Sequence, residues 1–91
     1  MKRYFRFDDG ARFWVVANDQ PHAVAILDAT GSEFGGLGTM TAALAAGGVF
    51  WIEMDTESAA NTMCDTSEDN RARGRIPLTD CDVGEWFSSE W

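Results

Sequence analysis

The sequence has 91 residues, is 45% apolar and carries a formal net charge of −8 at a pI near 4.3. That length describes one small domain, residues 1–91, with a limited core, and the apolar fraction excludes a disordered chain. Such acidity excludes direct nucleic-acid or anionic-membrane binding and makes a basic surface the expected partner.

The first predicted element is a β-hairpin. Tyr4–Phe7 and Ala11–Ala17 flank Asp8-Asp9-Gly10. A two-residue Asp9-Gly10 loop would set Phe7 opposite Arg12 and mix apolar with charged groups on both faces. A three-residue loop, Asp8-Asp9-Gly10, sets Phe7 opposite Ala11 and Phe5 opposite Phe13. One face then carries Phe5, Phe7, Ala11, Phe13 and Val15, and the other carries Tyr4, Arg6, Arg12 and Trp14. The clean separation favours that register. It leaves Tyr4 and Trp14 beside two arginines on the outer face, the composition of a cation–π patch.

Asp19 is a good N-cap and Pro21 fits a first helical turn, so a short helix is predicted from His22 to Ala29, stopping near Gly31. Its Ala23, Val24 and Leu27 would face the hairpin. Thr30–Thr39 holds Gly31, Gly35, Gly36 and Gly38 and reads as a loop, with Phe34 and Leu37 pinned to the body. Thr39 then caps the helix-favouring segment Met40–Ala46.

Gly47-Gly48 ends that helix and introduces Val49–Met54, the densest apolar run in the chain. Its β-branched and aromatic residues predict a strand, and its four successive apolar residues predict a central one covered on both faces. Asp55-Thr56-Glu57-Ser58 starts another helix candidate, Glu57–Cys64, with carboxylates suited to the helix dipole. Asp65–Gly74 is polar and reads as a loop. Arg75–Leu78 is an edge-strand candidate because of Pro77. A turn-rich stretch, Asp80–Gly84, leads to the aromatic end Glu85–Trp91. The predicted fold class is α+β: a small antiparallel sheet of the hairpin, strand 49–54 and an edge strand near 75–78, packed with two or three short helices.

Met1-Lys2-Arg3 followed by Tyr4–Phe7 is too short and charged for a signal-peptide core, and no apolar run approaches a membrane span. Cys64 and Cys81 do not make a disulfide framework, so reduced thiols and a cytoplasmic location are expected.

No motif carries an activity. Gly35-Gly36-Leu37-Gly38-Thr39 lacks the lysine of a phosphate loop, and Glu33 and Asp28 would repel a phosphate there. Asp65–Asn70 and Asp80–Glu85 lack the ligand ladder of a calcium loop. His22 is the only histidine and reads as a helix-start residue, without the partners of a triad or zinc site. Cys64 reads as a small core residue. The expectation is a protein without catalytic residues, cofactor or metal.

Charge distribution is more informative. Met1–Arg12 is net positive, whereas Phe13–Asn70 holds no Lys or Arg and nine carboxylates. Self-repulsion of that kind lowers stability, and a basic partner would offset it. The candidate acidic face is Asp28, Glu33, Glu53, Asp55, Glu57, Asp65, Glu68 and Asp69. Trp14, Trp86 and Trp91 are the candidate aromatic anchors, since Trp is enriched at interface hot spots. Trp86 and Phe87 have a simpler reading as residues that close the core.

In size, acidity, absence of a catalytic motif and α+β pattern, the whole chain resembles small phage-encoded inhibitors of bacterial defence, such as anti-CRISPR proteins. The resemblance implies a non-enzymatic protein that binds a basic protein or nucleoprotein complex, a CRISPR effector being one such complex, and excludes its nucleic acid by mimicry. The alternative is a structural or regulatory module that acts through the aromatic C-terminus or self-association.

Overall fold

The fold was analysed in a computed structural model that describes residues 2–10, 12–29, 39–65 and 75–88. It is α+β. The elements run β1 (Arg3–Asp8), β2 (Arg12–Ala17), α1 (Gln20–Asp28), α2 (Met40–Ala45), β3 (Phe50–Met54), α3 (Thr56–Ala60), β4 (Met63–Asp65), β5 (Arg75–Pro77), a 3₁₀ turn (Leu78–Asp80) and β6 (Trp86–Ser88). A four-stranded antiparallel sheet has the order β3-β1-β2-β6, and β4 and β5 form a second, two-stranded sheet.

The hairpin is the centre of the main sheet. Its two strands pair Phe7 with Phe13, Phe5 with Val15 and Arg6 with Trp14. The predicted register placed Phe7 against Ala11, two residues away. A shift of two leaves every side chain on its predicted face. The observed pairing also brings Asp8 opposite Arg12, where the two carboxylate and guanidinium groups meet at 3.1 Å. Gly10 turns the chain at φ +107°, a backbone conformation that favours glycine. Ala11 lies outside the described residues.

Both faces of the hairpin are buried. On one, Phe5, Phe7, Phe13, Val15 and Ala17 form a cluster with Ala23, Val24 and Leu27 of α1 and Met40 and Ala43 of α2. Complete burial of a side chain such as Phe5 or Phe7 contributes about 1.5–3 kcal/mol relative to leaving it exposed. On the other, Tyr4, Val16 and Phe87 pack with Ala59 of α3, Cys64 of β4, Leu78 and Cys81. The face predicted to be outer is therefore a second core at its Tyr4 end. Its Arg6 end carries Asp8 and Arg12 and stays partly open.

Local signals set the helix ends. Asp19 accepts the His22 amide and caps α1, and Thr39 accepts the Ala42 amide and caps α2. Gly47, at φ +74°, closes α2 as the left-handed residue of a Schellman end, with Gly48 donating to Ala43 and Gly47 to Leu44. His22 holds its own helix start, its Nδ1 accepting the Asn18 amide at 3.1 Å.

Four expectations are corrected. Strand β3 lies at the edge of the sheet, not its centre, because β2 and β3 occupy the two sides of β1. Its successive apolar residues do not mark two-sided burial: Phe50 is 62% exposed and Trp51 39%. The third helix ends at Ala60, with Asn61 as its C-cap, and Cys64 lies in strand β4 rather than in the helix. Arg75–Pro77 is a strand but pairs with β4, Pro77 opposite Met63, instead of extending the main sheet. The aromatic C-terminal segment supplies β6, which pairs Trp14 with Phe87 and Val15 with Trp86. Backbone bonds Val16 N–H to Glu85 O and Gly84 N–H to Val16 O lead into that pairing. Of the predicted loops Thr30–Thr39 and Asp65–Gly74, residues 30–38 and 66–74 lie outside the described residues, and Asp65 belongs to strand β4 rather than to the loop.

Two predictions follow from double-sided burial. Phe7→Ala should lower unfolding stability by about 3–5 kcal/mol in a urea titration followed by circular dichroism. Deleting residues 85–91 should abolish cooperative unfolding, because it removes strand β6 and the second core's Phe87; a cooperative transition in that variant would show the segment to be an appendage.

Candidate functional site

The arginines of the hairpin are held by nearby carboxylates. Arg3 grips Glu53 with two hydrogen bonds, Nε at 2.9 Å and Nη2 at 2.5 Å, and stacks its guanidinium 5.7 Å from the Phe5 ring. Asp8 lies between Arg12 and Arg6, 3.1 Å and 3.4 Å away. The Arg6 contact is an ion pair without hydrogen-bond geometry, since Arg6 Nε is buried and donates to no acceptor. Lys2 Nζ donates to the Thr79 carbonyl at 2.8 Å. The recorded cation–π contact thus falls on Arg3 and Phe5, whereas Trp14 sits half-buried between Arg6 and Phe87 in the sheet register.

The candidate carboxylates divide by role. Asp28 reaches from α1 to the start of α2, where Oδ1 accepts the Met40 and Thr41 amides at 2.7 and 3.2 Å. Asp55 caps α3, accepting the Ser58 amide at 2.7 Å. Glu53 belongs to the Arg3 pair. Glu57 is exposed in the first turn of α3. Asp65 is placed by its backbone in β4, opposite Arg75. Glu33, Glu68 and Asp69 lie outside the described residues, as does Trp91. Asp28 and Glu57 do not share a surface, because α1 and α2 pack on one face of the sheet and α3 on the other. Trp86 is half-buried against the first core, its ring 6.5 Å from Phe13.

Two features were missed from sequence. Asp80 and Asp82 are exposed on the layer that α3 shares with the 3₁₀ turn, through the packing of Ala59 and Leu78. Among the described residues Asp55, Glu57, Asp80 and Asp82 make no salt bridge. The signal was the run Asp80-Cys81-Asp82, where a buried cysteine between two exposed acids fixes the facing of both. The second feature is the β3 edge, with Phe50 and Trp51 exposed. Trp51 touches Phe5 and Phe7 at centroid distances of 6.2 and 6.3 Å, so its ring covers the margin of the first core. The signal was Glu53, a charge inside an otherwise apolar strand, which marks a solvent-facing position.

No His/Cys/Asp/Glu group among the described residues has metal-holding geometry. Cys64 and Cys81 are buried in the second core, and the Cys81 Sγ lies 3.8 Å from the Pro77 carbonyl. No described helix is long and apolar enough to cross a membrane. An open apolar groove between α1 and the β6 approach is lined, among the described residues, by Ile26, Ala29, Gly84 and Trp86, none of them titratable.

Compared with protein-family models, curated proteins and solved structures, the chain matches none of them. The reading of its surface therefore rests on its own geometry.

The Arg3 hydrogen bonds hold the Glu53 carboxyl below the usual carboxylate range, and the Ser58 amide and hydroxyl do the same for Asp55. Folded-state values below the unfolded ones stabilise the fold above the ordinary carboxylate range. That contribution disappears as pH falls through the depressed values. Glu53→Gln and Asp55→Asn should therefore each flatten the acid limb of the stability–pH curve and leave its alkaline limb unchanged, as measured by thermal melts from acidic through alkaline pH. Asp28→Ala should cost about 1 kcal/mol at neutral pH, because it leaves the first amides of α2 uncapped.

Proposed function

We propose that the protein is a non-enzymatic, acidic binding protein that occupies a basic surface of a nucleic-acid-handling partner and keeps the nucleic acid out. The observation that carries this reading is the division of charge. The hairpin arginines Arg3, Arg6 and Arg12 are engaged by Glu53 and Asp8 on the hairpin and its neighbour. The exposed acids of the α3 layer, Glu57, Asp80 and Asp82, make no salt bridge among the described residues, and Lys2, the cation that reaches this layer, is bonded to the Thr79 carbonyl. Their charges are available to a partner's Lys and Arg side chains. A net charge of −8 attracts such a partner over roughly a Debye length, about 8–10 Å at physiological salt.

The profile agrees with that of small phage-encoded inhibitors of bacterial defence, which act stoichiometrically. The partner class is a basic DNA- or RNA-binding protein, a CRISPR effector among the possible targets.

A deca-arginine peptide serves as a defined basic probe, and a basic DNA-binding effector with labelled duplex DNA serves as the competition assay. The triple variant Glu57→Gln, Asp80→Asn, Asp82→Asn should bind the peptide at least about tenfold more weakly at low salt, with a shallower salt dependence. It should also lose potency in displacing DNA. Equal affinity and equal salt dependence in wild type and variant would refute the assignment to the α3 layer.

A further inference from the structure

Strand β3, which leads into α3 through Asp55, presents a second kind of surface. Among the described strands it pairs with β1 alone, through five consecutive residues from Tyr4–Met54 to Asp8–Phe50. Its other side carries backbone groups that no described strand pairs. Edge strands in soluble proteins are commonly protected by Lys, Pro, a bulge or an unpaired charge. Phe50-Trp51-Ile52-Glu53-Met54 has no Lys or Pro, and its register with β1 is unbroken. Its one charge, Glu53, is neutralised by the two-point Arg3 contact.

The two exposed aromatics lie on opposite faces of this strand. Phe50 shares a face with Ile52 and Met54 and, across β1, with Asp8, Arg6 and Tyr4, and Trp51 shares one with Glu53, Phe5 and Phe7. A partner laid on either face of the sheet would cover one of them. Only an occupant that continues the sheet edge-on meets both. A basic extended segment would find no unpaired charge on this strand. A second copy of the strand brings the same apolar set, with its own Glu53 neutralised in the same way.

We propose that β3 pairs antiparallel with β3 of a second copy of this chain, about a twofold axis perpendicular to the sheet, and joins two four-stranded sheets into one of eight strands. The register is centred on Ile52, which faces its own counterpart. Phe50 then lies opposite the partner's Met54, and Trp51 opposite the partner's Glu53. Side-chain alternation keeps each set on its own face in both copies. The two Glu53 positions become diagonal neighbours, about 7–8 Å apart along the sheet, each with its Arg3. The interface is isologous, so it closes at the dimer.

Sedimentation velocity on the full chain over a concentration series, at low and high salt, tests this directly. A reversible step from a 10.0 kDa species to twice that mass is expected. Salt should strengthen it, because each copy carries a net charge of −8 and screening relieves their repulsion. Phe50→Lys should raise the dimer dissociation constant at least about tenfold while leaving the far-ultraviolet dichroism unchanged. Under mild oxidation Ile52→Cys should form a covalent dimer, and Phe50→Cys, four residues from its own counterpart in this register, should not. A chain that stays monomeric at millimolar concentration overturns the proposal. So does a dimer indifferent to Phe50→Lys, or a cross-link through position 50 in preference to position 52.

Discussion

The structure depends on burying both faces of one β-hairpin. Strands β1 and β2 place Phe5, Phe7, Phe13 and Val15 toward the helices α1 and α2, and Tyr4 and Val16 toward α3, β4 and the 3₁₀ turn. In a chain of 91 residues this arrangement gives two small clusters instead of one larger core. The hairpin is their shared wall, so each layer is stabilised through the other. Helix formation alone would not hold the outer layers, since the three helices have nine, six and five residues and isolated helices of that length are marginal in water. Their caps, Asp19, Thr39 and Asp55, fix where they start; packing on the hairpin fixes that they exist.

The same constraint explains what could be read from sequence. The hairpin's two faces were legible because alternation survives a register shift of two, and the caps of α1 and α2 were legible because each is a local signal. The place of β3 was not. Val49, Phe50, Trp51 and Ile52 are apolar in succession whether the strand is covered on both faces or lies at an edge with aromatics partly exposed. The sign that separated these cases was Glu53, whose partner Arg3 is distant in sequence. Strand β6 was hidden for a related reason: three residues, Trp86–Ser88, are too few to show a period, and their strand character comes from pairing with β2. Tertiary context, not propensity, makes them a strand. The candidate acidic face was legible as a charge imbalance but not as a surface, because Asp28 and Asp55 are used at helix starts and Glu53 in an ion pair.

The exposed acids and the exposed aromatics lie on different elements, whereas the exposed Met63 and Val83 share the acidic layer. The hairpin's cations are paired close to where they arise, and the exposed Glu57, Asp80 and Asp82 belong to the layer across the second core. The exposed aromatics belong to the edge strand. The proposed electrostatic contact and the proposed sheet-edge contact predict opposite responses to salt. That opposition distinguishes attraction to a basic partner, which salt weakens, from self-association of an acidic chain, which salt strengthens.

Residue-resolved amide hydrogen exchange of the dilute protein tests the central arrangement most directly. A doubly buried hairpin predicts that the slowest amides are those of Phe5, Phe7, Val15 and Val16, exchanging only through global unfolding. An open β3 edge predicts fast exchange at alternate amides of Phe50–Met54, those turned away from β1. Uniformly slow exchange along β3, equal to that of β1, would contradict the account by showing that strand to be covered on both sides.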